Sequence, residues 1–294
     1  MGTFVTKRRG SGPGTGAGGG KYPAAGVRWP LATVRTAIWL WFLLLGSHLA
    51  YALLRTRADE SFPIRSDYAP AFDALLFGSE SPTVWLQQRF YGGLPLAWWE
   101  YYFLFTFFSL IVVAVGLPLL LTLTRSRVFP VFAIAMALAH GIALVVHALA
   151  PSAPPWVPGV QGGEPAVHRI VEEVLHRSDL YASMVLLSEN DVAAMPSLHM
   201  TVAAVAGFAI ARLGRLGTLW AWIYVLSMGF ALVYLGEHYL VDVLGGLLVA
   251  TTAWGIADDV WARRAARRTG RGPSSYERWS RMVGIPGEPV GGLD

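Results

Sequence analysis

Two histidines stand at the entrances of long apolar runs. His199 closes Pro196-Ser197-Leu198-His199 and begins one run, and His238 opens His238-Tyr239-Leu240-Val241-Asp242 and begins another. In a helix, positions i and i+4 share a face, so His238 and Asp242 can meet. A carboxylate beside an imidazole fixes its tautomer and raises its basicity. Joined by a second histidine, such a pair has the parts for nucleophilic catalysis, with one imidazole attacking and the other moving protons. A histidine and an aspartate in an apolar segment are costly and mark function by default. The two stretches therefore read as halves of one active site.

The elements that must position them are membrane spans. Of 294 residues, 54% are hydrophobic and only 14% are charged, against about 25% charged in a soluble domain. The expected fold is all-α, a polytopic bundle of six transmembrane helices. The spans, each near the roughly 20 apolar residues a bilayer core needs, read as Ala37 to Leu54, a second span introduced by the aromatic belt of Trp98, Trp99, Tyr101 and Tyr102 and running to about Thr124, Val128 to about Ala150, about Ala193 to Leu213, Leu216 to Leu235 and Tyr239 to Val260. Residues 1–30 form a Gly-rich basic tail expected to be disordered, 31–262 the membrane domain, and 263–294 a polar basic tail. The mixed segment from Arg55 to Trp99 has room for short amphipathic surface helices. In the loop from Pro151 to Val192, Val167, Ile170, Val171, Val174 and Leu175 form a helical stripe within Pro165 to Arg177, read as a helix capping the site.

Charge sets the orientation. The N-terminal tail, the Arg125-Ser126-Arg127 turn, Arg212 with Arg215, and the C-terminal arginines all fall on one side of a six-span chain. The positive-inside rule makes that side cytoplasmic. Both termini are then cytoplasmic, and both histidines lie at one depth on the extracytoplasmic face, in what is expected to be the plasma membrane. The net charge of +4 comes from the ends and speaks to topology, so no nucleic-acid partner is expected. The chain has no cysteine and only two lysines, Lys7 and Lys21. Any phosphate clamp beyond the tail must therefore use arginine, which grips phosphate with two parallel hydrogen bonds.

Pro196-Ser197-Leu198-His199 followed by His238-Tyr239-Leu240-Val241-Asp242 resembles the second and third signatures of the type 2 phosphatidic acid phosphatase superfamily. The leucine between serine and histidine, the His-Tyr pair and the loop Ala150-Pro151-Ser152-Ala153-Pro154-Pro155-Trp156 are similar to its inositol phosphotransferase branch, which includes inositol phosphorylceramide synthases. The likeness extends over roughly residues 100 to 260. It implies a membrane enzyme acting on lipid-linked phosphate, as a phosphatase or as a phosphotransferase with an alcohol acceptor such as inositol. It implies that His238 attacks phosphorus and carries a phosphohistidine, Asp242 orients it, His199 protonates the leaving oxygen, and Ser197 hydrogen-bonds the phosphoryl group. No metal and no cofactor are expected. The chain departs from the lipid phosphatase pattern, having Ala231-Leu232 where a Ser-Arg pair would stand and no nearby lysine. Arg169 and Arg177, upstream of Ser197, are the candidates to supply that charge, and His147 a further substrate contact.

Each of these residues has a plainer reading. Ser197 is placed to cap a helix, Arg169 and Arg177 to be solvated loop cations, and His140 and His147 to be packed polar residues. The rival function is a proton-coupled transporter using His238 and Asp242 as a relay. A transporter wants ionisable groups along a path through the bilayer, whereas here the chemistry clusters at one depth.

Overall fold

In hydrocarbon every backbone polar group must find its partner within its own segment, which leaves helices as the economical answer for an apolar chain. The computed structural model describes residues 31–55, 62, 64–65, 67–78, 81–124, 126–157, 167–176 and 193–269. In chain order its helices are α1 (Leu31–Leu54), α2 (Tyr68–Phe77), α3 (Pro82–Phe90), α4 (Trp98–Leu123), α5 (Val128–Leu149), α6 (Ile170–Leu175), α7 (Leu198–Ala211), α8 (Arg215–Tyr234) and α9 (Leu240–Thr269). Among the described residues there is no strand. Two isolated bridges join Arg65 to Ser152 and Ser152 to Ala193. Five helices, α1, α4, α5, α8 and α9, are long and apolar enough to cross a membrane. The protein is a polytopic α-helical membrane protein.

The sixth apolar segment is shorter than its sequence implies. Helix α7 has 14 residues, about 21 Å at 1.5 Å per residue, where a span needs roughly 30 Å. Its predicted first turn is held open instead. The Ala194 N–H donates to the Ser152 carbonyl (3.1 Å), the Met195 N–H donates to Ser152 Oγ (2.8 Å), and Pro196 follows. The short helix need not match the bilayer because it lies at the centre of the bundle. It packs against α4, α5, α8 and α9 and buries an almost continuous run from Met200 to Gly207. The outer helices carry the lipid-facing surface: α1, packed along α5, exposes Trp39, Phe42, Leu45, Leu49 and Leu53.

Small residues bring the central helices together, as packing in membranes requires. A Cβ on Gly207 would stand 2.7 Å from Val225 of α8. A Cβ on Gly246 of α9 would stand 2.5 Å from the Ser197 carbonyl oxygen and 2.9 Å from Met200 Cβ. Thr201 Oγ donates across the same contact to the Gly246 carbonyl, at 3.2 Å. The turn between α8 and α9 is the hairpin expected at Gly236-Glu237. Gly236 has φ +81°, and a Cβ there would meet the His168 carbonyl at 2.4 Å.

The segment after α1 does contain short helices, α2 and α3, and Ser81 and Pro82 start α3 by capping and by preset φ. The capping helix expected from Pro165 is observed only as α6, and residues 158–166 and Arg177 lie outside the described residues. Helix cannot begin before Ile170 because residues 167–169 are held elsewhere. Gln87 accepts from the His168 N–H (2.9 Å) and donates to the His168 carbonyl (2.8 Å), and the Ile170 N–H donates to the Leu235 carbonyl (3.2 Å). The two tails likewise lie outside the described residues, except that α9 runs on to Thr269.

The Gly246 contact gives a direct test. Gly246→Ala should lower the thermal midpoint in detergent, at a cost of about 1–3 kcal/mol for overpacking against backbone. Gly255→Ala, on the same helix with nothing within 4 Å, should hold or raise the midpoint by relieving the helix cost of glycine. Equal effects at the two positions would contradict the close α7–α9 approach.

Candidate active site

The two histidine motifs meet at one end of the bundle. His199 lies in the first turn of α7 and His238 two residues before α9, with ring centroids 6.1 Å apart. A backbone bond locks the motifs together: the Ser197 N–H donates to the Asp242 carbonyl at 3.0 Å. The His199 ring is stacked on Phe107 of α4, with centroids 4.6 Å apart and planes 19° from parallel.

Asp242 approaches His238, though not as two neighbours on a finished helix. His238 precedes α9, and Asp242, the third residue of α9, turns its side chain back toward the residue before the helix. Oδ2 accepts from the Tyr239 N–H at 3.0 Å and stands 3.7 Å from His238 Nδ1. At 3.7 Å this is an ion-pair contact rather than a hydrogen bond. His238 Nδ1 and Asp242 Oδ1 have no hydrogen-bond partner among the described residues. Catalytic hydrogen bonds commonly tighten only when substrate is present. Asp242 is fully buried and His238 nearly so.

Ser197 is the N-cap of α7, accepting from the Met200 N–H at 3.3 Å, and is fully buried. The plain reading of this residue is thus correct. It still leaves the hydroxyl hydrogen available for donation, since a hydroxyl both accepts and donates. The N-termini of α7 and α9 face the same place. Each brings the positive end of its helix dipole there, which favours an anion.

The proline-rich loop fixes the approach to Ser197. Besides the two bonds from Ser152, the Arg65 N–H donates to the Pro151 carbonyl at 2.8 Å, which ties the segment before α2 to the same loop. At the start of α2, burial and then the charge of Asp242 push the Tyr68 hydroxyl pKa up, with Ser152 also at hand. Tyr68 therefore belongs to the site's wall.

Arg169 lies beside the site, held by partners. Its Nε donates to Glu237 (3.2 Å), its Nη1 to Glu172 (3.2 Å), and its guanidinium stacks 4.0 Å over Trp156. Burial works against its charge, but Glu237 and Glu172 hold its pKa above the ordinary value. Glu237, next in the chain to His238, is pushed up by burial against the pull of Arg169. Arg177 lies outside the described residues. His147 is fully buried, its Nε2 3.0 Å from the Tyr51 hydroxyl, and its ring acts electrostatically on His238. His140, by contrast, sits deeper along α5 against Ser47 and His48.

Three contributors were not singled out from sequence: Tyr68, Glu237 and Arg55. Arg55, at the end of α1, stands one turn beyond Tyr51, and its charge is felt at Tyr51, His147 and His199. Its one sequence signal is position: it is the first charge after the first apolar run, one turn beyond a tyrosine. Among the described residues no cluster of three or more His, Cys, Asp or Glu side chains is arranged to hold a metal ion.

A family model described as the PAP2 superfamily matches residues 72–256. No curated protein and no solved structure matches the chain. The match starts within α2 and ends within α9, so it takes in both histidine motifs and leaves out α1. It covers well over half of the sequence, and the chain belongs to the PAP2 superfamily of phosphatase-type enzymes.

Proposed function

We propose that the protein cleaves or transfers a lipid-linked phosphate through a phosphohistidine on His238, as a lipid phosphate phosphatase or an inositol-phosphate-type phosphotransferase. The observation that carries this reading is the His199–His238 pair, 6.1 Å apart at the converging N-termini of α7 and α9. In the first step His238 Nε2 forms a bond to phosphorus as the bond to the lipid oxygen breaks, and His199 gives that oxygen its proton. In the second, water or an alcohol attacks phosphorus, His199 takes its proton, and the N–P bond breaks. Asp242 balances the positive charge that His238 gains while phosphorylated. Ser197 and the helix N-termini meet the equatorial oxygens, where positioning and charge do most of the work of phosphoryl transfer.

The membrane supplies the substrate class. The helices around the site carry apolar outer faces, which suits a phosphate carried on a lipid. We place the site on the extracytoplasmic side. Helix α7 puts His199 at one end, and the basic turn with Arg212 and Arg215 lies beyond the other, so the positive-inside rule turns the histidines outward. The serine-leucine-histidine form and the Ser152 loop favour the inositol phosphotransferase branch, and Ser152 is the residue that shapes the approach to Ser197.

Asp242 allows its two roles to be separated. Asp242→Asn keeps an acceptor for the Tyr239 N–H and should leave the thermal midpoint nearly unchanged, while turnover falls by about 10²-fold or more as the histidine loses its carboxylate. Asp242→Ala should lose both, with about 1 kcal/mol of stability from the Tyr239 hydrogen bond gone as well. Full turnover in Asp242→Asn would remove the aspartate from the chemistry. The wider test is phosphate release by the purified full chain from a panel of lipid phosphates and diphosphates, with and without inositol. Release from at least one lipid is expected, falling at least about a thousandfold in His238→Ala, and inositol phosphate should form if the acceptor is inositol. No release from any lipid phosphate, or undiminished release in His238→Ala, would contradict the proposal.

A further inference from the structure

We propose that Gln87 of α3 is a positioning residue for phosphoryl transfer: it sets the nucleophile His238 by fastening a strap, residues 167–170, onto the hairpin that carries it. This inference rests on the functional reading above, which makes His238 the nucleophile, and names what holds that ring in line. His238 precedes α9, so its place is decided by the turn that leads into it. Within that turn the His238 N–H donates back to the Leu232 carbonyl at 3.1 Å. The four residues before it, Tyr234 to Glu237, are fixed from outside.

The strap meets those four residues one by one. Gln87, buried, uses its whole amide for the purpose. Its oxygen accepts from the His168 N–H at 2.9 Å, and its nitrogen donates to the His168 carbonyl at 2.8 Å and to the Tyr234 carbonyl at 2.9 Å. The Ile170 N–H donates to the Leu235 carbonyl at 3.2 Å. Gly236 has no side chain, so the His168 carbonyl and Val167 lie where a Cβ would meet them at 2.4 and 2.9 Å. Arg169 Nε donates to Glu237 at 3.2 Å. Each residue from Tyr234 to Glu237 thus touches the strap or the amide that clamps it. The strap also reaches the other half of the site. The Arg169 guanidinium lies 4.0 Å over Trp156, and the same proline-rich loop holds Ala194 and Met195 through Ser152. Both amide hydrogens and the amide oxygen of Gln87 are spent on backbone, so it acts through the hairpin and not on the phosphate. Phosphoryl transfer depends on an aligned nucleophile, and a displacement of about 1 Å costs about 10²-fold in rate.

The test uses the purified full chain and reads kcat and KM for lipid phosphate turnover, at a temperature well below the thermal midpoint of every variant. Wild type is compared with Gln87→Leu, Gln87→Glu and Gln88→Glu. Gln87→Leu keeps most of the bulk and removes all three bonds. Its kcat should fall about 10- to 100-fold, with KM changed by less than about threefold. Gln88→Glu, at the exposed neighbouring position, should match wild type. The carboxylate introduced by Gln87→Glu accepts from the His168 N–H but has no hydrogen for the two carbonyls, and protonation returns one O–H. The kcat of Gln87→Glu relative to wild type should therefore rise as pH falls through the carboxyl range. Taking the ratio at each pH cancels the titration of His168, Glu172, Glu173, Glu237 and the two site histidines, which both proteins share. A merely structural clamp would lower the midpoint and move neither kcat per folded protein nor that ratio. An active wild type whose kcat is matched within about twofold by Gln87→Leu would overturn the inference alone. So would a loss confined to KM, or an equal loss in Gln88→Glu. Should Gln87→Leu not fold, the ratio in Gln87→Glu decides by itself, and a ratio flat with pH overturns the inference. A wild type that releases no phosphate from any lipid phosphate would overturn the functional reading, and this inference with it.

Discussion

The close approach of α9 to the start of α7 is the constraint on which the site depends. Gly246 lets the α9 backbone lie against the Ser197 carbonyl and Met200, and Gly245 leaves space for Met195. Two backbone-directed bonds exploit that proximity, from the Ser197 N–H to the Asp242 carbonyl and from Thr201 Oγ to the Gly246 carbonyl. With these fixed, His199 and His238 have little freedom in depth or rotation. A side chain at residue 246 would separate the helices by pushing on backbone, and the ring separation would grow with it. The geometry of the chemistry is thus set by the absence of side chains a turn away.

A second constraint is the position of that contact in the bilayer. α7 is too short to match the hydrocarbon thickness and is surrounded by helices that do. Its N-terminus therefore need not lie at the membrane surface, and polar side chains such as those of Ser197 and Asp242 can face the site while being wholly buried. The loops that wall the site are held by side chains from distant parts of the chain. Ser152 holds the residues before Ser197, and Gln87 holds both His168 and the Tyr234 carbonyl. Such satisfaction of exposed backbone is what irregular chain near a membrane requires.

Much of this was legible in the sequence because the signals are local. Hydropathy marks the long spans, and the observed ends of α4, α5 and α8 lie within about two residues of the expected ones. Hydropathy also placed both histidines at span entrances, and Gly236 announced the hairpin. What the sequence did not disclose depends on contacts between distant residues. The apolar run at Ala193 looks like the first turn of a span until Ser152 captures Ala194 and Met195. That Glu237 and Glu172 hold Arg169 beside the site could not be read from spacing. Asp242 was expected to meet His238 four residues on, and it does so from the first turn of α9, while its Oδ2 also accepts from the Tyr239 N–H.

The central claim is that His238 is the residue that takes the phosphoryl group. It is tested most directly by quenching the purified full chain in alkali during turnover of a lipid phosphate labelled on phosphorus, then mapping the label by mass spectrometry. Phosphohistidine is stable to base and labile to acid. The account predicts label on the Nε2 nitrogen of His238, with label that decays when water or an acceptor alcohol is supplied. Label on His199 or on any other residue, or turnover with no labelled protein at any time point, would contradict it.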